Sequence, residues 1–428
     1  MAKFRSIIGV FLLTVLAAAN LVASPPATTA PGKQEQQHFR WKDRKIKIAI
    51  SSSLIKQSSN IKTDSDVVGA IRRSLQAWEN VADIEFQIEN VDKLSVSPSG
   101  STGDGVSLIT VAQSAENILF FGSDSQSVSA KTRVFYSRRG FISEADIVLN
   151  PFQQFSTDGT FGTFDLQSTL THEIGHLLGL RHSSVMGAVM SENLAKVGAL
   201  GFVDLGTRVL SESDVTAVRE LYGTGDEKDD CCASISGKLA IPIGKVLKNP
   251  RVWAEDAATG RVVGQTDVAA DGHYRIGGLS AGTYNLYWKA KTGSTSSATG
   301  ELGSVEAKTG EALTFNQKVS VGSASLALDL FGVNSQLGES GVSLESGREQ
   351  MIYLGGKGLD PKSVEIEFAS PFLHVVPSTM VSQDFGDEIS VISLFIKVDP
   401  DTPSGVYSIF AKSEDGSRSA VVGVIKVN

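Results

Sequence analysis

Three of the six histidines of this chain fall within one short run, HEIGHLLGLRH at residues 172–182. His172 and His176 are four residues apart, so on a helix their imidazoles project from the same face and can hold one ion. His182 can return toward that pair, because Gly179 permits a sharp turn of the chain. Three nitrogen ligands with one position left for water are typical of a catalytic zinc, since a structural zinc is closed by a fourth protein ligand.

Glu173 directly follows the first histidine and is the candidate general base. Zinc lowers the pKa of a bound water to about 7, a carboxylate can take its proton, and the hydroxide can attack a carbonyl that the metal polarises. The competing interpretation is an ordinary amphipathic helix with surface histidines. In that case the spacing of the three histidines with Glu173 and Gly179 would be a coincidence. We therefore predict one catalytic zinc held by His172, His176 and His182, with Glu173 as its base.

A helix must carry this run, and a sheet must support the helix. Apolar residues recur at helical spacing from residue 165 to residue 178, and Gly179 can end that helix. A second amphipathic helix is predicted around residues 67–78. Alternating segments predict strands at residues 45–50, 84–88, 107–111, 134–136 and 145–149. Strands combined with helices indicate an α/β core.

The last helix of this region is expected after Leu210. Ser211 with Asp214 three residues later resembles a capping box, and the apolar residues that follow can form a buried face. We interpret the carboxylate of Asp214 as a favourable charge at the start of this helix.

The extended histidine pattern resembles that of the metzincin zinc peptidases, and within them the matrixin family. Ser183 follows the third histidine, as is typical of matrixins. Met190 stands where the family places the methionine of its Met-turn beneath the zinc, with Met186 as the competing residue. The resemblance covers about residues 41–224 and implies a metzincin catalytic domain, with a mixed twisted sheet and a long active-site helix, that acts as an endopeptidase.

Asp214 matches one of two adjacent acidic residues of matrixins, whereas Ser213 replaces the other, and the chain departs from the family elsewhere as well. After Met190 it reads SENL at residues 191–194, without the Tyr and Pro that form the wall of the specificity pocket in matrixins. The resemblance therefore implies no substrate preference. Asp104, Asp124 and Asp158 lie in loops rich in Gly and Ser and could offer oxygen ligands to calcium, but the pattern favours solvated turns and no calcium site is assigned.

The first residues have the pattern of a secretory signal peptide. Lys3 and Arg5 precede an apolar run at residues 7–19, and small residues follow it. The run is shorter than the roughly 20 residues that span a bilayer, which favours cleavage over a membrane anchor. We predict a signal peptide at residues 1–24, a flexible lead-in at 25–40, and a secreted, extracellular protein.

The C-terminal half is expected to be all β. After a predicted linker at residues 225–233, residues 234–321 carry regular turn signals between alternating strands. They resemble a carboxypeptidase-regulatory-like or collagen-adhesin B-type sandwich, and residues 322–428 resemble an immunoglobulin-like sandwich in a general way. The predicted fold class is thus an α/β metzincin catalytic domain at residues 41–224 followed by two all-β sandwich domains.

The composition and net charge limit the classes of partner that the chain is expected to bind. Hydrophobic residues make up 41% and charged residues 20% of the chain, which is ordinary for a globular protein. A formal net charge of −8 disfavours nucleic acid and anionic membranes. The only cysteines, Cys231 and Cys232, are adjacent, and either an inert or intermolecular thiol pair or a redox switch remains open.

Two classes of function fit these features. The first is an extracellular endopeptidase acting on proteins or peptides, whose β-modules position it on a substrate, surface or matrix ligand. Deletion of residues 234–428 is then expected to spare the cleavage of small peptides. The alternative is an adhesion or scaffold protein that binds without turnover, but such a protein has no use for Glu173 beside a metal ligand. Hydrolysis of a non-peptide amide would use the same residues, and a substrate screen separates it.

Overall fold

The computed structural model describes residues 39–56, 58–199, 208–225, 231–242, 247–292, 297–321, 325–386 and 388–428. The predicted signal peptide, nearly all of the predicted lead-in and residues 226–230 of the predicted linker lie outside these ranges. In the part of the chain that is described, no helix is long and apolar enough to cross a membrane.

A six-stranded mixed sheet forms the framework of the N-terminal part. Its order is β1-β6-β4-β2-β3 with parallel pairing throughout, and β5 pairs antiparallel with β6. Each of the five predicted strand segments overlaps one of its strands. The strands are β1 (Arg40–Trp41), β2 (Lys45–Ser51), β3 (Glu85–Val91), β4 (Leu108–Thr110), β5 (Ala130–Tyr136) and β6 (Phe141–Leu149).

The helices of this part include the three that the sequence predicts and two that it does not. Within the described ranges they are α1 (Ser52–Ile55), α2 (Val67–Glu79), α3 (Ala115–Phe121), α4 (Leu166–Leu177) and α5 (Glu212–Tyr222). A short 3₁₀ helix at Gly122–Gln126 follows α3. Two short parallel strands, β7 (Phe155–Ser156) and β8 (Phe164–Asp165), precede α4.

Helices α2 and α4 pack together and share one apolar core with the sheet. Trp78 of α2 is fully buried, and its indole N–H donates to the carbonyl oxygen of Thr171 in α4 at 2.9 Å. Leu170 and Ile174 of α4 are also fully buried in this core. Each such side chain contributes about 1.5–3 kcal/mol by leaving water, so the apolar stripe of α4 fixes the helix against its neighbours.

After α5 the described chain contains strands and turns but no helix. Residues 233–318 form two sheets, ordered β11-β10-β13-β14 and β12-β9-β15, with β16 also paired to β9. Their strands are β9 (Ala233–Ala240), β10 (Lys248–Asp256), β11 (Val262–Asp267), β12 (His273–Leu279), β13 (Gly282–Lys291), β14 (Ser297–Ala307), β15 (Ala312–Thr314) and β16 (Gln317–Lys318). We call this part the first β-module.

Residues 327–427 form two further sheets, ordered β17-β19-β23-β21 and β18-β25-β24-β20, with β22 also paired to β23. Their strands are β17 (Ala327–Gly332), β18 (Val342–Leu344), β19 (Glu349–Lys357), β20 (Val364–Glu367), β21 (Leu373–Val375), β22 (Val381–Gln383), β23 (Ser390–Val398), β24 (Gly405–Ser413) and β25 (Arg418–Val427). We call this part the second β-module.

Each β-module has its own buried apolar core drawn from both of its sheets. The all-β character of the C-terminal half is therefore as predicted. The domain boundaries and the kinship of each module to a named sandwich family stay predictions. Cys231 and Cys232, just before β9, are joined to each other by a disulfide, so neither is a free thiol.

A further buried cluster lies where the N-terminal part meets both β-modules, and we call it the junction cluster. Val185 and Ala188 of the N-terminal part are completely buried in it. The first β-module contributes Trp253, Val262 and Tyr287, and the second contributes Val406, Phe410, Ala420 and Val422. The Tyr287 and Phe410 rings lie 5.1 Å apart, centroid to centroid, so the two modules meet through direct aromatic packing.

Candidate metal centre

Helix α4 presents the first two histidines and is held at its start by polar contacts. The side chain of Asp165 caps the helix by accepting a hydrogen bond from the backbone N–H of Ser168 at 2.8 Å. Arg208 donates to the same carboxylate through Nε at 3.0 Å. Capping satisfies a backbone donor that would otherwise lack a partner, and the apolar stripe fixes the rotation of α4. His172 and His176 therefore face one point.

Gly179 ends the helix and turns the chain back, as the sequence predicts. Its φ of +98° is a conformation that side chains with a Cβ rarely adopt, and a Cβ there would overlap the carbonyl oxygen of Phe39. The turn brings the ring of His182 to 4.7 Å from that of His176 and 5.3 Å from that of His172. One nitrogen from each of the three rings lies within 4.8 Å of the others.

Backbone carbonyls set the orientation of two of the rings. Nδ1 of His172 lies 2.7 Å from the oxygen of Val189, and Nδ1 of His176 lies 2.9 Å from the oxygen of Leu180. An oxygen can only accept, so both Nδ1 atoms carry the proton and both Nε2 atoms expose a lone pair. These two Nε2 atoms are 3.1 Å apart with no proton to share between them.

This arrangement fits a bound cation. Two nitrogen ligands at about 2.0–2.1 Å from a tetrahedral zinc lie about 3.4 Å from each other, close to the observed spacing. Burial also lowers the pKa of His172 to about 4 and holds the pKa of His176 well below its usual value. The pKa of His182 is lowered by burial as well, against an opposing effect of the Glu192 carboxylate. Neutral imidazoles are the form that binds metal.

Glu173 is buried next to the first histidine and has a specific partner. The hydroxyl of Thr132 on β5 donates to the Glu173 carboxylate at 2.5 Å and lies 3.2 Å from the Glu173 carbonyl oxygen. Burial raises the pKa of Glu173 to about 7, against the lowering effect of this hydrogen bond. Sequence reasoning missed Thr132, because a threonine in a strand carries no signal of what it will face.

Met190 lies against α4 between the first two histidines. It is buried, and a Cβ added to Gly175 would overlap its sulfur atom. The carbonyl oxygen of Met190 accepts a hydrogen bond from the N–H of Ser183 at 2.7 Å. Met186, the competing methionine, packs instead against the core of the second β-module. The position of Met190 agrees with the predicted Met-turn, and its role there stays a prediction.

Asp214 holds the segment that contains Met190. Its buried carboxylate accepts hydrogen bonds from the N–H groups of Val189 at 2.9 Å and Met190 at 3.0 Å. It also accepts from the N–H of Ser211 at 2.8 Å, and the predicted capping box of α5 is present. From the sequence, Asp214 is a favourable charge at a helix start and a match to one of two adjacent acidic residues of matrixins. Neither interpretation indicates its bonds to Val189 and Met190, because these depend on which elements become neighbours.

The residues considered for calcium have other partners. Asp104 forms an ion pair with Lys93, and Asp158 forms one with Lys62. The side chain of Asp124 lies outside the described part of the structure. Within the described ranges, His172, His176 and His182 are the group of three or more potential ligands that is placed to share an ion.

Comparison with known proteins points to the same region. Residues 117–223 match the family model of the matrixins. Interstitial collagenase from Oryctolagus cuniculus is 25% identical over 159 residues, which is 37% of this chain and 29% of the collagenase. Metalloendoproteinase 1 from Glycine max is 41% identical over 64 residues, which is 14% of this chain and 17% of that protein. The matched segments thus span less than a third of either relative, and they support a matrixin-like metallopeptidase domain at the level of the family.

Similarity to solved structures is weak. The major pilin subunit of Bacillus cereus is 12% identical, with 46% of this chain and 69% of the pilin covered, at a TM-score of 0.18. A TM-score this low does not establish a shared fold.

Proposed function

We propose that this chain is a zinc-dependent endopeptidase built on a metzincin catalytic domain, with His172, His176 and His182 as the zinc ligands. The observation that carries the proposal is the convergence of three histidine nitrogens within 4.8 Å of one another, with the buried Glu173 directly after His172 in the chain. A structural zinc site has no use for that carboxyl group. The match of residues 117–223 to the matrixins supports the same conclusion.

The chain's own residues supply the acid–base chemistry. His172, His176 and His182 would hold a zinc ion, which when bound would supply Lewis acidity toward a water ligand and toward the carbonyl group of the substrate. Glu173 accepts the proton of the water and returns it to the amine that leaves, so one carboxyl group serves both steps. Burial raises the pKa of Glu173 in the metal-free chain, and a raised pKa favours uptake of a proton by this carboxyl group. Thr132 fixes the orientation of the carboxyl group through its hydrogen bond.

The proposal also covers where the protein acts and which partners it binds. The N-terminal pattern supports export and removal of residues 1–24, so the substrate is an extracellular protein or peptide. Net charge of −8 argues against nucleic acid as a partner.

The test compares the zinc-loaded mature chain with Glu173→Gln on a mixed peptide library. We expect the variant to bind one zinc per chain and to lose about 10²- to 10⁴-fold in turnover, which is the usual contribution of a general base. His172→Ala should lose the zinc itself. Equal cleavage by Glu173→Gln and its parent would contradict the role of Glu173. Bound zinc without any cleavage by the parent would favour a binding protein.

A further inference from the structure

Residues 183–191 follow the third histidine and include Met190, and we call this segment the site loop. It has two faces. One face belongs to the metal centre. Its Val189 carbonyl holds His172 at 2.7 Å, and its Met190 side chain lies against Gly175 of α4. Any shift of the site loop therefore changes the orientation of a proposed zinc ligand.

The other face of the site loop is hydrogen-bonded to the second β-module. The N–H of Met186 donates to the oxygen of Val422 at 3.0 Å, and the N–H of Gly187 donates to the oxygen of Gly423 at 2.8 Å. The N–H of Gly341, before β18, donates back to the oxygen of Met186 at 3.3 Å. The loop is thus hydrogen-bonded to β25 of the second β-module.

Side-chain packing adds to these bonds. Val185 and Ala188 are completely buried in the junction cluster, where residues of both modules cover them. A Cβ at Gly187 would come within 2.8 Å of both the Gly423 oxygen and Val406 Cγ1, so the contact leaves no free space. On the first β-module, the hydroxyl of Ser184 donates to Gln265 at 3.0 Å.

A second connection passes through α5, the helix that carries Asp214. Arg275 of β12 forms an ion pair with Glu220 of α5 at 3.0 Å. Gly264 of β11 approaches the methyl group of Thr216 so closely that an added Cβ would lie 3.2 Å from it. Because Asp214 holds the N–H groups of Val189 and Met190, the first β-module also supports the site loop, through α5.

We propose that the two β-modules position the site loop, so that they tune zinc affinity and turnover and do not serve only to bind substrates or surfaces. The inference rests on the proposed function, since it concerns the same zinc centre. Gly187 and Val406 are positioning residues that act through the Val189 carbonyl on His172. Loss of a carbonyl that orients a ligating histidine typically costs about 10- to 100-fold in metal affinity or activity.

The test uses full-length chains and starts with Gly187→Ala, which inserts a methyl group between the site loop and the module. Gly225→Ala is the matched control, because an added Cβ there meets nothing closer than Asp83 Oδ1 at 4.0 Å. We expect Gly187→Ala to weaken zinc about ten-fold in competition with a chelator and to lower kcat more than it raises KM. Gly225→Ala should match the parent in all three quantities.

A second substitution asks whether the effect comes from the module. Val406→Ala removes the Cγ1 atom that an added Cβ at Gly187 would meet, so it should restore part of the zinc affinity of Gly187→Ala. Val398→Ala removes the same atoms from a fully buried valine in the module's own core and should restore nothing. Rescue by both valine variants or by neither would overturn the proposal, as would parental zinc affinity in Gly187→Ala.

Hydrogen exchange keeps this inference separate from the proposed function. In zinc-free protein, the N–H groups of Val189 and Met190 are bonded to Asp214, and their exchange reports local opening. We expect Gly187→Ala to speed their exchange and Gly225→Ala to leave it unchanged. This readout needs neither zinc nor substrate, so a parent without peptidase activity would refute the proposed function while the positioning by the modules could still be upheld or rejected.

Discussion

Gly175 offers a direct test of how Met190 packs against α4. A Cβ at this position of α4 would overlap the Met190 sulfur, approach its terminal methyl group at 3.1 Å, and lie 3.0 Å from Cζ2 of Trp78. The indole of Trp78 is fully buried and tied to Thr171, so it has little freedom to move away. Gly175→Ala therefore forces Met190 out of its place.

Two opposing contributions set the size of the effect. Alanine gains about 1 kcal/mol over glycine inside a helix. Overpacking a well-filled core costs about 1–3 kcal/mol, and a clash on two sides places this case in the upper part of that range. In the parent, Gly175→Ala is therefore expected to lower the free energy of opening of α4 by about 1–2 kcal/mol. In a Met190→Ala background the clash with sulfur is removed, and only a small adjustment of Trp78 is needed. The cost of that adjustment offsets the gain in helix propensity, so Gly175→Ala should leave the free energy of opening about unchanged.

The assay is a double-mutant cycle on the zinc-free chain. Amide exchange of α4 reports the free energy of local opening, which avoids treating a chain of several modules as a two-state system. A coupling of about 1–2 kcal/mol corresponds to about a 5- to 30-fold change in protection. Equal losses from Gly175→Ala in both backgrounds would show that Met190 does not lie against Gly175, and the packing described for the site would be wrong.

Two further predictions concern the helix end and a buried acid. Gly179→Ala should weaken zinc binding measured with a chelator, because its Cβ overlaps the Phe39 carbonyl and displaces the turn that delivers His182; parental affinity would refute this. Glu255, buried beside Trp253, has its pKa raised by burial from 4.5 to about 7, so the parent loses stability as pH rises from about 4.5 to 7. Amide exchange of β10, measured in both chains at each pH, should show Glu255→Gln gaining about 3 kcal/mol in opening free energy relative to the parent between pH 4.5 and 8, and a constant difference would refute it.

The sequence predicts those parts of the site that depend only on the spacing of residues close together in the chain. His172 and His176 are four residues apart on one helix, and Gly179 marks where that helix must end, so no tertiary information is needed. Met190 required the family resemblance, because a buried methionine usually fills a core. The same local rules predict α2, α4, α5 and five of the six strands of the mixed sheet, because the apolar residues of these segments recur at helical or strand spacing.

The parts that escaped prediction depend on which elements become neighbours. Thr132 is 41 residues from Glu173, and only the pairing of β5 with β6 next to α4 brings them together. The hydrogen bonds from Val189 and Met190 to Asp214 likewise follow from the docking of α5. Helix α3 was not predicted, because its short apolar run gives no clear period.

The expectation that residues 234–428 can be removed without affecting small-peptide cleavage came from treating the β-modules as appendages. The structure gives a physical reason to expect the opposite. Met186 and Gly187 are bonded to β25, and Ala188 is buried by both modules only two residues before Met190. Nothing in the sequence of the site loop distinguishes a residue covered by its own domain from one covered by another.

The junction cluster also bears on the lifetime of the molecule. A cut between α5 and β9 followed by release of the C-terminal half would uncover Val185 and Ala188, together with Trp253, Tyr287 and Phe410 on the departing side. Newly exposed apolar surface of this kind promotes self-association. Cleavage in that region would thus yield two aggregation-prone pieces, and self-association of the pieces would make the cleavage hard to reverse.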